Sequence, residues 1–276
     1  MRYIDLPSGE TVPVLGQGTW GMGEGGSPEA EVAALRLGID LGMTLIDSAE
    51  MYGEGGAEEV VGAAVADRRD EVFLVSKVYP HNATRTGTVA ACERSLRRLR
   101  TDHLDLYLLH WRGGAHLAET LEAFCELRES GKIRHFGVSN FDPGDMREWW
   151  QLAGGSETVT DQVLYNLTRR GIEWDLLPWC RENGVPVMAY SPIEQGRMLR
   201  HPTLRELARR RSATPAQIAL AWLLHSDNVF AVPKAVRPEH VRENVAALDL
   251  TLSEAELIEL DKAFPPPTGP RPLEML

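Results

Sequence analysis

The segment that decides the fold is Thr44-Leu45-Ile46-Asp47-Ser48-Ala49-Glu50-Met51-Tyr52-Gly53, in which a short apolar run stops at Asp47 and a phenol follows at Tyr52. Two later apolar runs stop in the same way, one at Lys77 and the other at His110. Such runs are typical of buried strands, and here each run is followed by a titratable side chain. If the strands lie parallel, these four side chains converge at the C-terminal edge of the sheet, where α/β proteins carry their chemistry.

The pattern of strands and helices predicts an α/β protein, a (β/α)₈ TIM barrel. Counting from Gly16, eight short apolar strands alternate with helices, and eight parallel strands close such a barrel. The first strand lies within residues 14–21, and the others at 45–47, 72–77, 104–110, 135–139, 160–165, 187–191 and 229–232. Helices are predicted from Ser27 onward and at 57–65, 86–99, 117–130, 142–152, 172–183, 204–211 and 215–226.

Additional elements are predicted at both ends of the barrel. Pro7-Ser8-Gly9-Glu10 separates two short alternating runs, which predicts an N-terminal β-hairpin plug over residues 3–6 and 11–14. Two extra amphipathic helices are predicted at 238–247 and 253–263, followed by an extended proline-rich segment. The alternative, an open doubly wound sheet, is disfavoured because the loop from Gly21 to Gly26 lacks the G-x-G-x-x-G register of a dinucleotide fingerprint.

Length and composition limit the classes of function. At 276 residues the chain suits one barrel domain spanning 1–276. The net charge of −11 argues against nucleic acid and anionic membranes as partners. Because the N-terminal residues lack the apolar core of a signal peptide, we expect a cytoplasmic protein, and we expect a monomer. Cys92, Cys125 and Cys180 have no metal-ligand spacing and are expected to be free thiols.

A series of motifs, in this order along nearly the whole chain, resembles the aldo-keto reductases, and most closely the bacterial branch that includes methylglyoxal reductases. The motifs are Gly18-Thr19-Trp20, Asp47 through Tyr52, Lys77, His110-Trp111, Gly137-Val138-Ser139-Asn140, Gln162, Tyr190-Ser191-Pro192 and Val232-Pro233-Lys234. The resemblance implies a (β/α)₈ barrel that reduces carbonyls to alcohols with NADPH and without a metal.

The four polar residues at the strand ends suit that chemistry. Hydride addition to a carbonyl leaves an oxyanion that needs a proton, and Tyr52 can supply it if a nearby cation brings its pKa of about 10 closer to working pH. Lys77 can be that cation, held by an ion pair with Asp47, while His110 can donate a hydrogen bond to the carbonyl oxygen. Singly, each polar residue has a structural explanation as a helix cap, a solvent-facing lysine or a core histidine; together they favour catalysis.

The resemblance also implies the cofactor contacts. Ser139, Asn140 and Gln162 match positions that hold the nicotinamide amide, and Tyr190 matches the aromatic that stacks on the ring, although a core tyrosine explains it equally well. Lys234 matches the residue that meets the 2′-phosphate. The remaining implied contacts are Gly18, Thr19, Trp20 and Asp47, then Ser191, Pro192, Gln195 and Gly196 near the pyrophosphate, Ala235, Arg237 and His240 near Lys234, and Glu243 and Asn244 at the adenine.

Three positions depart from the family pattern. Relatives often carry serine or threonine where Ala235 and Arg237 stand, and arginine where His240 stands. Arg237 can replace the missing charge, since guanidinium is a good phosphate ligand. We therefore expect NADPH to be preferred over NADH, with NADH as a weaker second cofactor, and NADPH affinity to rise as pH falls if His240 touches the phosphate.

The expected substrate is a small carbonyl compound. Trp20 and Trp111 flank Tyr52 and His110, and Tyr79, with Met22 and Met51, could extend an apolar wall, although core packing explains the last three equally well. The short loop after His110 leaves the site open, which suits small aldehydes and ketoaldehydes such as methylglyoxal. Two alternatives are a nucleotide-sensing auxiliary subunit, known in the family, and a metal-dependent barrel enzyme, disfavoured because no His, Asp and Glu cluster gathers at the strand ends.

Overall fold

Eight parallel strands form a closed barrel in the computed structural model, which describes all 276 residues. Each strand pairs with the next along the chain, and Leu15 bridges to Ala231 in parallel, which joins the first strand to the last. The barrel strands are β3 (Gln17–Gly18), β4 (Leu45–Asp47), β5 (Phe73–Val78), β6 (Leu104–Leu109), β7 (Ile133–Ser139), β8 (Asp161–Leu164), β9 (Val187–Tyr190) and β10 (Val229–Ala231). The predicted barrel is confirmed, and the open doubly wound sheet is excluded.

Helices surround the barrel and follow the sequence signals closely. They are α1 (Pro28–Asp40), α2 (Gly56–Val65), α3 (Arg85–Leu99), α4 (Leu117–Glu129), α5 (Pro143–Gln151), α6 (Leu176–Glu182), α7 (Pro202–Arg210), α8 (Pro215–Leu223), α9 (Pro238–Ala246) and α10 (Glu254–Ala263). Ser27 caps α1 by accepting from the Ala30 amide, and Ser253 with Glu256 forms a capping box on α10. None of these helices combines the length and apolarity needed to cross a bilayer.

The predicted N-terminal hairpin is present and covers the N-terminal end of the barrel. Strands β1 (Tyr3–Asp5) and β2 (Thr11–Pro13) pair antiparallel, and Val12 is fully buried. The hairpin turn is attached to the barrel by a hydrogen bond between Glu10 Oε2 and Nε2 of His135, 2.9 Å apart, near the start of β7. The opposite end, where Asp47, Lys77 and His110 lie, is thereby left for the functional site.

Two predicted elements differ in extent from those observed. The first barrel strand is only Gln17–Gly18. Glycine is needed at its end, because a Cβ on Gly18 would lie 2.5 Å from Val232 O. The helix predicted at 172–183 begins later, at Leu176, after a separate 3₁₀ turn over Gly171–Glu173.

Candidate active site

Asp47 and Lys77 form a buried ion pair at the C-terminal ends of β4 and β5. Asp47 is in register with Val75, and Lys77, two residues further along, points to the same face because side chains alternate along a strand. Lys77 Nζ lies 2.8 Å from Asp47 Oδ1, and the two side chains are 0% and 4% exposed. The ammonium also donates to Ser48 O at 2.7 Å, so two of its three protons have buried acceptors.

The third proton of Lys77 is directed at the Tyr52 hydroxyl. The Nζ–Oη distance is 3.3 Å, and the ammonium lies 4.8 Å from the centre of the phenol ring. Tyr52 opens a 3₁₀ turn in which Gly53 and Glu54 both adopt left-handed conformations, with φ of +56° and +54°. Glu24 steadies this turn by accepting from the Gly53 amide at 3.1 Å.

Electrostatics keep the Tyr52 phenol protonated, and here the expectation from sequence was wrong. Burial raises the pKa of Tyr52 well above its usual value of 10, and the negative charge of Asp47 raises it further. The Lys77 ammonium, which is paired with Asp47, does not offset these two effects on the pKa of the phenol. Desolvation lowers the pKa of Lys77 itself, against the opposing effect of Asp47.

His110 follows β6 and lies against Tyr52, with ring centroids 5.7 Å apart and planes inclined at 73°. Burial lowers the pKa of His110 well below its usual 6.5, and the nearby charge of Lys77 lowers it further. The imidazole is therefore neutral near pH 7 and carries one N–H donor. Its Nδ1 is buried and has no hydrogen-bond partner within the protein.

Three polar side chains from neighbouring strands form a hydrogen-bonded cluster beside this group. Gln162 Nε2 donates to Asp47 Oδ1 at 2.8 Å, and Ser139 Oγ donates to Gln162 O at 2.8 Å. Asn140 Nδ2 donates to His110 O and to Ser139 Oγ, each at 3.0 Å, and Asn140 Oδ1 accepts from the Tyr190 hydroxyl at 2.9 Å. Because these bonds use the donors and leave amide oxygens with free lone pairs, the cluster can accept hydrogen bonds from a ligand amide.

The segment after β9, Ser191 to Gly196, has an unusual backbone. Ser191, Glu194 and Gln195 have φ of +46°, +49° and +53°, and Gly196 has φ of +83°. Left-handed non-glycine residues each cost about 1–2 kcal/mol and concentrate at functional sites. Asn166 stabilises the segment through Nδ2, which donates to Ser191 O and Glu194 Oε2, both at 2.9 Å. We call Ser191–Gly196 the cofactor loop, after the contact expected from the sequence.

Cationic side chains lie at the far end of the cavity, after β10. Lys234 is exposed and lines the cavity, as does His240 near the start of α9. Arg237 Nη2 contacts Nε2 of His240. This contact brings together two of the three positions that depart from the family pattern.

These groups surround a cavity of about 760 Å³, within the range of about 300–1,000 Å³ common for small-molecule sites. The exposed indole of Trp20, at 54%, stands at its mouth. The predicted site residues that line the cavity are Gly18, Thr19, Trp20, Asp47, Tyr52, His110, Trp111, Asn140, Gln162, Tyr190, Ser191, Pro192, Gln195, Gly196, Lys234 and His240. No group of three or more His, Cys, Asp or Glu side chains is arranged to hold a metal ion.

Several expected residues do not line the cavity. Tyr79 stacks on His81 at 4.7 Å and meets the edge of Trp111 at 5.2 Å, so it supports Trp111 without reaching the cavity. Met22 is fully buried in the core. Lys77 and Ser139 lie immediately below the lining, and Ala235, Arg237, Glu243 and Asn244 lie outside it.

Some lining residues were missed by sequence reasoning. Glu24, Ile193 and Leu199 come from loops with no strand or helix periodicity, and the same is true of Met275 and Leu276. The apolar character of the last two indicates by itself only that they pack against the protein. No local pattern could have placed them beside residues far away in the sequence.

Comparisons with known proteins agree with this geometry. The model of the Aldo/keto reductase family matches residues 14–264. Methylglyoxal reductase YeaE of Escherichia coli (strain K12) is 52% identical, covering 100% of this chain and 99% of the relative. Glyoxal reductase of Bacillus subtilis (strain 168) is 32% identical, covering 99% and 97%. A crystal structure of an aldo-keto reductase from Klebsiella pneumoniae in complex with NADPH superposes with a TM-score of 0.97 at 51% identity, covering 100% and 99%.

Proposed function

The chain belongs to the aldo/keto reductase family, and on that basis we propose that it reduces small aldehydes and ketoaldehydes, methylglyoxal among them, to alcohols with NADPH. One observation carries the proposal: the Tyr52 hydroxyl lies 3.3 Å from Lys77 Nζ, which is itself 2.8 Å from Asp47, beside the neutral His110. A protonated phenol with a fixed cation is the acid that carbonyl reduction requires.

The polar groups along the cavity fit a nicotinamide dinucleotide. The amide oxygens of Asn140 and Gln162, which each have a lone pair left, suit a carboxamide, the Tyr190 ring offers a flat face, and Lys234 offers a cation at the other end. When bound, NADPH supplies the hydride that goes to the carbonyl carbon. Lys234 supports a preference for NADPH over NADH, because the 2′-phosphate gives this cation a partner. Arg237 lies outside the cavity lining and contacts His240, which is part of it.

The roles of the protein side chains in the reaction follow from their charges and protonation states. Tyr52 keeps its proton until negative charge develops on the substrate oxygen, and then donates it. Lys77 stabilises the phenolate that remains, and Asp47 keeps the ammonium oriented. His110 is neutral, and its buried Nδ1 has no hydrogen-bond partner within the protein. The imidazole can therefore donate its N–H to the substrate oxygen and hold the carbonyl beside Tyr52.

The walls beside Tyr52 support small carbonyl compounds as substrates. Trp20 and Met51 are 54% and 39% exposed, and with Trp111 they form an apolar rim around the acid. Such a rim excludes water from the substrate without demanding a particular shape.

The proposal is tested by following NADPH oxidation with methylglyoxal and with an aromatic aldehyde, for the wild-type protein and Tyr52→Phe. Removing the acid should lower kcat by about 10²- to 10⁴-fold while the NADPH Kd, measured by fluorescence, stays unchanged. The same assay with NADH in place of NADPH tests the cofactor preference, and higher kcat/KM with NADH would contradict it.

Tyr107→Phe is the matched control, since Tyr107 is also a barrel tyrosine. It is fully buried on β6, and its hydroxyl has no hydrogen-bond partner, so its removal should leave kcat unchanged and stability equal or slightly higher. Equal turnover by wild type and Tyr52→Phe would reject Tyr52 as the acid. Tight NADPH binding without turnover of any aldehyde would instead favour a redox-sensing subunit.

A further inference from the structure

The segment after α10, residues 264–276, crosses the rim of the barrel and reaches the cavity. We call it the tail segment. Met275 and Leu276 line the cavity together with Tyr190, and they remain 48% and 52% exposed. Part of the apolar wall near the proposed acid is therefore built from an extended segment without strand or helix hydrogen bonds, which needs side-chain contacts to stay in place.

Arg170 holds the beginning of the tail segment. Its Nη1 donates to Phe264 O at 2.6 Å and to Asp261 Oδ1 at 2.7 Å. Its remaining edge makes two hydrogen bonds to Glu173, at 2.8 and 2.9 Å, and the guanidinium lies 5.0 Å from the ring of Trp222. The start of the segment is thus fixed to the turn that follows β8.

Arg169, the neighbouring residue, holds the far part of the tail segment and the cofactor loop at once. Its Nη1 donates to Glu274 Oε1 at 2.5 Å, directly before Met275. Its Nε and Nη2 donate to Glu194 Oε1 at 3.2 and 3.0 Å. A planar guanidinium with donors on several edges can bridge two carboxylates in this way, whereas an ammonium offers no such fixed geometry.

Glu194 is firmly anchored in the cofactor loop. Its side chain is only 6% exposed, and it also accepts from Asn166 Nδ2 at 2.9 Å and from Arg197 Nη2 at 3.1 Å. Burial alone would raise the pKa of Glu194, but hydrogen bonds from Arg169 and Asn166 outweigh it and leave the pKa below its usual value. The carboxylate is therefore charged near neutral pH, and the Arg169 bridge joins two segments that both line the cavity.

We propose that Arg169 is a positioning residue that couples the tail segment to the cofactor loop, so that the Met275–Leu276 wall forms fully when the loop is ordered by cofactor. This inference rests on the proposed function and deepens it. The wall contacts the non-reacting part of the carbonyl substrate, so it should favour aldehydes with a large apolar substituent. Methylglyoxal, which is small, should depend on it little.

Glu274→Gln releases the tail segment while leaving the Glu194 contact of Arg169 in place. At saturating NADPH, KM for an aromatic aldehyde should rise about 3- to 10-fold, the equivalent of losing part of one charged hydrogen bond. KM for methylglyoxal should change less than about twofold. Equal changes in KM for both aldehydes would overturn the proposed role of the wall.

Coupling itself is measured by hydrogen exchange, which does not require turnover. NADPH should slow exchange of the amides of Leu273 to Leu276 in the wild-type protein, and Arg169→Gln should abolish that protection and raise the NADPH Kd. Arg209→Gln, which breaks an exposed pair with Glu206 on α7, should behave as wild type. Equal NADPH protection in wild type and Arg169→Gln would overturn the coupling, even if the protein reduced no aldehyde at all.

Discussion

Two of the charge clusters in this barrel differ in solvent exposure. At the centre, Lys77 and Asp47 are 0% and 4% exposed. At the rim, Arg169 is 34% exposed and bridges Glu194, at 6%, and Glu274, at 40%. The central pair is isolated from water, so its charges act strongly on their neighbours, whereas the rim cluster is partly screened.

The difference suggests different tasks for the two clusters. Within the central pair, desolvation lowers the pKa of Lys77, and its charge helps to lower the pKa of His110. Such a pair contributes little more to the free energy of unfolding than well-packed apolar residues of the same size would, but it controls where protons are bound. The rim cluster instead joins segments that have few backbone hydrogen bonds between them, and arginine suits that task because its donors point in several directions.

The largest effect should follow from breaking the central pair. Lys77→Met leaves Asp47 charged and buried with Gln162 as its remaining side-chain donor, and it removes the cation beside Tyr52. We expect kcat to fall by about 10²- to 10⁴-fold and the free energy of unfolding to fall by about 3–5 kcal/mol, measured by urea denaturation.

Lys132→Met is the matched control, because Lys132 pairs with Glu93 at 2.6 Å but both side chains are partly exposed, at 34% and 43%. Its cost should be about 0–1 kcal/mol, with kcat unchanged. Similar losses of stability in the two variants would show that burial does not distinguish these ion pairs.

A smaller effect should appear in the pH dependence of stability. The folded-state pKa of His110 lies below the unfolded value of about 6.5, so the unfolded chain takes up the proton first as pH falls. The contribution of His110 is therefore complete above about pH 6.5 and is lost toward its lower folded-state pKa, with a slope of up to about 1.4 kcal/mol per pH unit.

Urea denaturation of wild type and His110→Gln between pH 7.5 and 5, at about half-unit steps, isolates this contribution from those of the other histidines. The stability difference between the two proteins should shrink or reverse as pH falls. Parallel curves would mean that His110 is not held neutral by its surroundings.

Sequence reasoning succeeded where position follows from local pattern. Asp47, Lys77 and His110 each end an apolar run, and because adjacent parallel strands are in register, their meeting at one edge of the barrel follows from the strand pattern. The caps by Ser27 and Ser253 were equally readable, because a cap depends only on the next few residues.

Sequence reasoning failed where the position of a residue depends on distant contacts, or where its pKa depends on burial. Tyr79 looked like a cavity residue, but Pro80 follows it and begins a 3₁₀ turn that places the ring against His81. The pKa of Tyr52 rises instead of falling, because burial and the charge of Asp47 both raise it, and burial has no local sequence signal. Arg169 has no local sequence signal for its role, since its partners lie 25 and 105 positions away.

The smallest effect should come from the rim. In Arg169→Gln, Glu194 keeps Asn166 and Arg197 as donors, and the guanidinium was already partly hydrated, so we expect a loss of about 1 kcal/mol at neutral pH. The folded-state pKa of Glu194 is depressed, so its stabilising contribution is complete above the usual carboxyl pKa of about 4.3 and is lost as pH falls below that value. The stability advantage of the wild type over Arg169→Gln should therefore persist down to about pH 5 and narrow near pH 3, well below the window in which His110 acts.

Urea denaturation at these two pH values measures this advantage. Arg209→Gln is the control, and its loss of stability should stay within about 0.5 kcal/mol at both pH values. If the advantage instead disappeared between pH 7 and 5, the rim and the centre would titrate together, and the separation of the two clusters by exposure would be wrong.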